Sequence, residues 1–122
     1  MMSYKNLDVW KVSMQLVKDI YLLTKSYPKD EVFGLTSQTK RAAASIPTNI
    51  AEGLGRQYKK DSIQFFHIAR GSVYVLDTLL TIALMTDVID EPKFNLIHPF
   101  VERVSMLING LSNSYEKRDD LK

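Results

Sequence analysis

The chain has 122 residues, no cysteine, 45% hydrophobic residues and a formal net charge of +2 at pH 7. This length and apolar content predict a single folded domain with a substantial core, and they exclude a disordered or linker-rich chain. The lack of cysteine excludes disulfides and thiolate metal sites, and no signal-peptide core follows the N-terminus, so a cytoplasmic protein is expected.

Apolar side chains recur at spacings of three, four or seven between residues 7 and 27, which predicts a long amphipathic helix. Pro28 ends this helix or follows its end, because the residue before a proline disfavours the helical conformation. The apolar residues form two adjacent stripes, Val9, Leu16, Ile20, Leu23 and Tyr27 beside Trp10, Met14, Val17 and Tyr21.

A second helix is predicted over residues 35–52, with its apolar positions facing a core. Pro47 lies inside it and predicts a kink, since proline cannot donate a hydrogen bond to the Ala43 carbonyl. Gly53 and Gly55 predict a left-handed stop at the end of the helix. The inward residues are expected to be Leu35, Ala42, Ile46 and Ile50.

The third helix, predicted over residues 59–88, has more apolar residues than one narrow stripe holds, so burial on more than one side is expected. Asp90, Glu91 and Pro92 predict a turn into a fourth helix over residues 93–116. Pro99 lies inside that pattern and indicates either a kink or a helix that begins near it. The polar tail, residues 117–122, is expected to fray.

Four long helices with short turns and no strand-like alternation predict an all-α protein, an antiparallel up-and-down four-helix bundle with a kinked second helix. The first and third helices have apolar arcs wider than one bundle core requires, which favours a homo-oligomer. The longest charge-free run with a composition that suggests a membrane span, residues 78–86, is less than half of the roughly 20 residues that a membrane-spanning helix needs. No membrane segment is therefore predicted.

Aromatic residues at heptad spacing could form a platform on which nucleic-acid bases stack, but this spacing favours core packing. The only histidines, His67 and His98, lack the neighbouring ligands of a metal-binding bundle, so no metal site is predicted. No nucleotide-binding loop or activated nucleophile is recognisable, and Gly53-Leu54-Gly55 is interpreted as a helix stop. We therefore expect no cofactor and no enzymatic activity. The aromatic residues concerned are Trp10, Tyr21, Tyr27, Phe65 and Phe66.

The second helix also carries a ridge of polar residues at spacings of three or four. Residues 34–70 have a net charge of +4, against +1 for residues 1–33 and −3 for residues 71–122. Three interpretations are open: a solvated helix face, a phosphate-binding surface and a polar seam between subunits. The expected phosphate contacts are Lys40, Arg41, Arg56, Lys59 and Lys60. The other residues of the ridge, the candidates for a seam, are Gln38, Ser45, Asn49 and Glu52.

Several segments of the chain also occur together in one known family. They are Leu7 to Lys11, Gly34 to Gln38 with Arg41 to Ala43, Ser45-Ile46-Pro47-Thr48-Asn49-Ile50-Ala51-Glu52-Gly53 with Gly55-Arg56, and Phe65, Ile68-Ala69 and Gly71-Ser72. Over about residues 7–85 the chain resembles the bacterial four-helix-bundle family encoded in intervening sequences of 23S ribosomal RNA genes, many of whose members carry a ribosomal-protein label.

The resemblance implies a ring-shaped homopentamer, in a family whose members have no established enzymatic activity. It also implies kinship with the accessory protein of diversity-generating retroelements, which binds nucleic acid and a reverse transcriptase. Two features depart from the family pattern. Val75 and Leu79 stand where acidic and amide residues are usual, and Gln57-Tyr58 replaces a serine-rich helix cap.

We therefore expect an oligomeric accessory protein that binds RNA or DNA with little sequence specificity, because no exposed helix carries an obvious base-reading set. The alternative is an oligomeric protein-interaction scaffold with no direct nucleic-acid binding, whose partner is a protein such as a reverse transcriptase.

Overall fold

Amphipathic helices account for most of residues 3–118, the part of the chain that the computed structural model describes. The four α-helices are α1 (Asp8–Thr24), α2 (Leu35–Leu54), α3 (Lys59–Met85) and α4 (Glu91–Glu116). Short 3-10 helices at Tyr4–Asn6 and Lys29–Glu31 precede α1 and α2, and the described residues contain no strand. The predicted all-α, four-helix fold is confirmed. Residues 119–122 of the tail predicted to fray lie outside the described range.

Each helix packs against two neighbours: α1 and α3 both contact α2 and α4. The connections at residues 55–58 and 86–90 are short, as is typical of antiparallel neighbours in a bundle. The predicted inward positions of α2 are confirmed, since Ala42, Ile46 and Ile50 are buried and Leu35 packs at the core edge. The largest fully buried side chains include Leu16, Ile20, Phe66, Leu76, Leu80 and Ile108.

Two helices end three residues before their predicted ends. α1 stops at Thr24, whose carbonyl accepts a hydrogen bond from the Tyr27 amide, so the chain tightens into a turn. α3 stops at Met85 because Asp87 adopts a left-handed conformation, with φ 61°. The Val88 amide then donates to the Ala83 carbonyl at 2.8 Å, which satisfies an otherwise free helix-end carbonyl.

The predicted left-handed glycine stop after α2 is wrong. Gly53 lies inside the helix, Gly55 has a right-handed φ of −87°, and no glycine in residues 3–118 has a positive φ. Gly53 is required for packing instead, since a Cβ atom there would lie 2.6 Å from a ring carbon of Phe66. The absence of a side chain lets α2 and α3 approach closely where their connection begins.

Both internal prolines are accommodated within helices. Pro47 is buried within α2, and the kink predicted there stays a prediction. Pro99 lies within α4, which already begins at Glu91, so a helix start near Pro99 is wrong. The Asp90 carboxylate caps that start by accepting a hydrogen bond from the Lys93 amide at 3.0 Å.

Not all the apolar surface is covered within one protomer. Tyr27 and Phe66 are buried as predicted, but Tyr21 is 43% exposed, so core packing was wrong for it. Trp10 is half-buried and contacts the Tyr4 ring edge-on. The first apolar stripe of α1 faces the core, whereas the second lies at its edge, with Met14 and Tyr21 exposed. The outer side of α3 is also uncovered, with Ile68, Tyr74, Val75, Ile82 and Met85 exposed.

By length and composition, α3 is apolar enough to cross a membrane, and 33% of its most apolar stretch is buried in the protomer. This is weak evidence for a membrane span, because the core helix of a soluble protein meets the same criteria. The prediction that the chain has no membrane segment therefore stays a prediction.

Candidate nucleic-acid interface

The five basic residues predicted to contact phosphate fall into two groups along α2. Lys40 and Arg41 lie in the first half of the helix, whereas Arg56, Lys59 and Lys60 lie at and after its end. A helix rises about 1.5 Å per residue, so about 20 Å of helix separates Arg41 from Leu54. The structure therefore does not bring the five residues together into one patch.

The first group faces the groove between α1 and α2. Lys40 Nζ lies 4.8 Å from the centre of the Tyr21 ring, a cation–π contact that orients the ammonium group. Arg41 donates from Nη2 to Ser37 Oγ at 3.4 Å. Within residues 3–118 neither basic group has a carboxylate within 4 Å, so both charges remain available to an anion.

Two more lysines lie close to this group, and sequence reasoning missed both. Lys25 and Lys29 line a depression of about 340 Å³ together with Lys40. They belong to the connection between α1 and α2. The spacing of apolar residues predicts helices, but it does not predict where a connecting segment lies relative to those helices. The only sequence feature that could have indicated them is the four-residue spacing of Lys25 and Lys29 after the end of α1.

Two of the three residues in the second group are already engaged in contacts within the protomer. Arg56 forms an ion pair with Glu52 at 2.8 Å and lies over the Phe65 ring at 4.6 Å. Lys59 Nζ donates to the Arg118 carbonyl at 2.9 Å, joining the start of α3 to the end of α4. The pairing with Glu52 lowers the net charge that Arg56 offers to a phosphate. Lys60 is exposed.

The middle of the polar ridge packs against α3. Ser45 Oγ and Ser72 Oγ share a hydrogen bond of 2.8 Å, and Asn49 Nδ2 donates to both the carbonyl and the hydroxyl of Ser45 at 2.8 and 2.9 Å. Much of the hydrogen-bonding capacity of Ser45, Ser72 and Asn49 is therefore already satisfied within the protomer. Gln38 and Glu52, by contrast, are exposed at either side of this network.

Two uncovered apolar surfaces flank these polar features. The first is a groove of about 530 Å³ between α1 and α4, where Leu22, Leu96 and Phe100 are exposed, with Asp19 and Lys93 at its margin. The second, which we call the α3 stripe, comprises Ile68, Val75, Ile82 and Met85, at spacings that keep them on one side of the helix.

Val75 and Leu79 of α3 also line a depression of about 290 Å³ with Gln38, Arg41 and Ser45. Arg41 therefore borders both the α1–α2 groove and the surface shared by α2 and α3.

The histidines occupy different environments. His67 is exposed, whereas His98 is partly buried between Asp77, at 3.0 Å from Nε2, and Glu102, at 3.3 Å from Nδ1. The His98 ring also stacks on Phe94 with 4.9 Å between the ring centres. The Asp77 contact joins α3 to α4, whereas Phe94 and Glu102 lie on the same helix as His98. Among the described residues, no group of three or more potential ligands has the arrangement to hold a metal ion.

Comparisons with known proteins identify relatives by family and by fold. A family model described as 23S rRNA-intervening sequence protein matches residues 5–110. The crystal structure, at 1.70 Å resolution, of a protein of unknown function from the S23 ribosomal protein family of Bacteroides thetaiotaomicron VPI-5482 has a similar fold, with a TM-score of 0.79. Its sequence is 22% identical, and the match covers 85% of this chain and 97% of that one. No curated protein matches this chain.

Proposed function

The chain belongs to the 23S rRNA-intervening sequence protein family, and we propose that it is a non-enzymatic, cytoplasmic, oligomeric accessory protein that binds nucleic acid through its basic surface. The observation that carries this proposal is the α1–α2 groove, where Lys40 and Arg41 have no carboxylate within 4 Å among the described residues. Unpaired lysine and arginine side chains are the groups that replace counterions around a phosphate backbone.

Self-association would convert this modest charge into a stronger binding surface. The α1–α4 groove and the α3 stripe expose large apolar side chains, which are costly to leave in water and favour burial against another copy. In a ring, such as the pentamer that the family resemblance implies, each basic group would recur once per subunit. Several weak phosphate contacts would then act together and raise the apparent affinity.

Binding is expected to depend little on nucleotide sequence. Arg41 and Lys40 lie in a groove between two helices, and Arg56 is held by Glu52 and Phe65, so none of them lies on a helix free to enter a DNA groove. Contacts of this kind position a backbone and do not read base edges.

The test is fluorescence anisotropy of labelled duplex DNA and structured RNA, titrated with protein of known oligomeric state across a salt series. For duplex DNA we expect log affinity to fall against log salt with a slope of about 0.9 per phosphate contact. The double variant Arg41→Glu with Lys59→Glu should abolish binding and leave the oligomer intact. A matched control, Lys11→Glu with Lys18→Glu, changes the net charge equally at exposed positions of α1. If the wild-type protein fails to bind at about 50 mM salt, the proposal is wrong.

The second candidate is a protein-interaction scaffold without direct nucleic-acid binding, with a partner such as a reverse transcriptase. The α3 stripe favours it, because its exposed residue Val75 stands where the family resemblance implies an acidic or amide residue. Under this hypothesis the Arg41 and Lys59 reversals disturb assembly, which sedimentation velocity would detect. Under the first hypothesis the sedimentation coefficient stays unchanged while nucleic-acid binding is lost.

A further inference from the structure

A depression of about 340 Å³ lies where the end of α1 meets the start of α2, and we call it the lysine pocket. Its lining includes three lysines from three different local structures: Lys25 at the end of α1, Lys29 in the 3-10 turn and Lys40 within α2. Thr36 also lines it with its hydroxyl, whereas the hydroxyl of Thr24, another lining residue, donates to the Tyr21 carbonyl at 3.2 Å. Ammonium and hydroxyl groups together are hydrogen-bond donors suited to an anion.

The positive charge of the lysine pocket is not neutralised by the described part of the protomer. None of the three ammonium groups has a carboxylate within 4 Å in residues 3–118. The nearby Glu31 carboxylate is directed to the start of α2, where it accepts a hydrogen bond from the Leu35 amide at 3.3 Å. Three like charges that line one concave surface repel one another, and a bound anion would relieve that repulsion.

The lysine pocket continues into a second depression of about 390 Å³ along the α1–α2 groove. The two share Val32, Thr36 and Lys40, and the second extends to Tyr21 and Arg41. A ligand anchored by its phosphate in the lysine pocket therefore has a path along the groove for the rest of a strand. That path runs beside an exposed aromatic ring and a further positive charge.

From this geometry we propose that the lysine pocket binds a phosphate group of a nucleic-acid strand, an inference that rests on the proposed function. The phosphate could be a terminal monoester or an internal diester of the strand. Both offer oxygens to Lys25, Lys29 and Lys40, and the monoester carries the larger charge near neutral pH.

The first measurement is the ³¹P NMR linewidth of inorganic phosphate, titrated with the intact oligomer at constant ionic strength. Saturable broadening is expected for the wild-type protein. The variant Lys25→Gln with Lys29→Gln should weaken binding at least about tenfold, because it removes two charge-assisted hydrogen bonds. The control pair Lys11→Gln with Lys18→Gln, at exposed positions of α1, carries the same charge change and should shift the affinity less than about twofold.

An equal loss of phosphate affinity in the Lys25 and Lys29 variant and in the Lys11 and Lys18 control would show that binding depends on net charge alone, and the lysine pocket would be wrong. The lysine pocket would also be wrong if the wild-type protein did not bind phosphate. Anisotropy with single strands that carry or lack a 5′-phosphate then identifies the source. A preference for the phosphorylated strand that disappears in the Lys25 and Lys29 variant indicates a terminal monoester. If the wild-type protein binds both strands with equal affinity, and both affinities fall in the Lys25 and Lys29 variant, the pocket binds internal diesters.

The two proposals fail separately. If inorganic phosphate binds through Lys25 and Lys29 but neither DNA nor RNA binds, the proposed function is wrong, and the lysine pocket remains a phosphate site whose ligand is not a nucleic-acid strand. If nucleic acid binds with unchanged affinity and salt dependence in the Lys25 and Lys29 variant, the lysine pocket is wrong and the proposed function stands.

Discussion

Replacing Tyr27 by phenylalanine should stabilise the protein, contrary to the usual effect of changing a buried residue. Its ring packs with Ala83 and Ile89 where α1, α2 and α3 meet, while its hydroxyl is enclosed without a partner in the described structure. An unsatisfied buried polar group costs about 1–3 kcal/mol, and phenylalanine keeps the ring without that group. We therefore expect Tyr27→Phe to raise the free energy of unfolding by about 1 kcal/mol at pH 7.

Alkaline pH should enlarge this difference. Burial raises the pKa of Tyr27 from 10.0 to about 12, because the phenolate would lose its hydration. The unfolded chain then releases the phenolic proton first, so the stability contributed by the neutral form is complete below pH 10 and is lost as pH rises through 12. For the wild-type protein this loss amounts to roughly 1.4 kcal/mol by pH 11 and about 2 kcal/mol by pH 12, and Tyr27→Phe escapes it.

The assay is urea unfolding followed by circular dichroism at pH 7, 10 and 11, at matched protein concentration because oligomers gain stability with concentration. Comparing each variant with the wild-type protein cancels the titration of the other tyrosines and lysines. Tyr74→Phe, at a side chain 57% exposed, is the control and should change stability little at any of these pH values. A loss of 1 kcal/mol or more in Tyr27→Phe at pH 7 would show that the hydroxyl has a stabilising partner, and the reasoning would be refuted.

Substitutions at three further positions test helix ends and packing by the same unfolding assay. Gly53→Ala should lower the free energy of unfolding by about 1–3 kcal/mol, because its Cβ would lie 2.6 Å from the Phe66 ring; an unchanged midpoint would contradict this close approach. Asp87→Gly should raise stability by about 1 kcal/mol, since glycine adopts the φ of 61° without strain, and a loss would indicate that the carboxylate matters more than the backbone. Asp90→Ala should cost about 1 kcal/mol through the lost cap on the Lys93 amide, and Asp90→Asn should restore most of it.

The helices could be predicted from the sequence because each is determined by the spacing of apolar residues within its own segment. Apolar residues spaced to lie on one face need a core, and the buried stripe of α1 and the inward residues of α2 follow that rule. The helix ends were less predictable. Asp87 takes the left-handed position at the end of α3 although glycine is the usual residue there, so no sequence signal marked the stop.

Features that depend on which helices meet lay beyond the sequence pattern. The role of Gly53 requires knowing that Phe66 packs over it, and the pairing of Ser45 with Ser72 joins residues 27 positions apart. Lys25 and Lys29 are unremarkable as single residues in a connection. They become a candidate site only because the connection folds against α2 beside Lys40.

The position of Arg41 bears on how nucleic-acid binding and assembly can be separated. Arg41 borders the α1–α2 groove and also the depression formed with Val75 and Leu79 beside the α3 stripe. A loss of binding after Arg41 reversal therefore reports on a phosphate contact only when sedimentation velocity shows that the oligomer is intact. The lysine pocket lacks this ambiguity, because Lys25 and Lys29 line neither that depression nor the α1–α4 groove. If the two apolar surfaces bury each other in the oligomer, the lysine pocket stays open to solvent on every subunit. Changes at Lys25 and Lys29 should then alter phosphate binding without altering assembly.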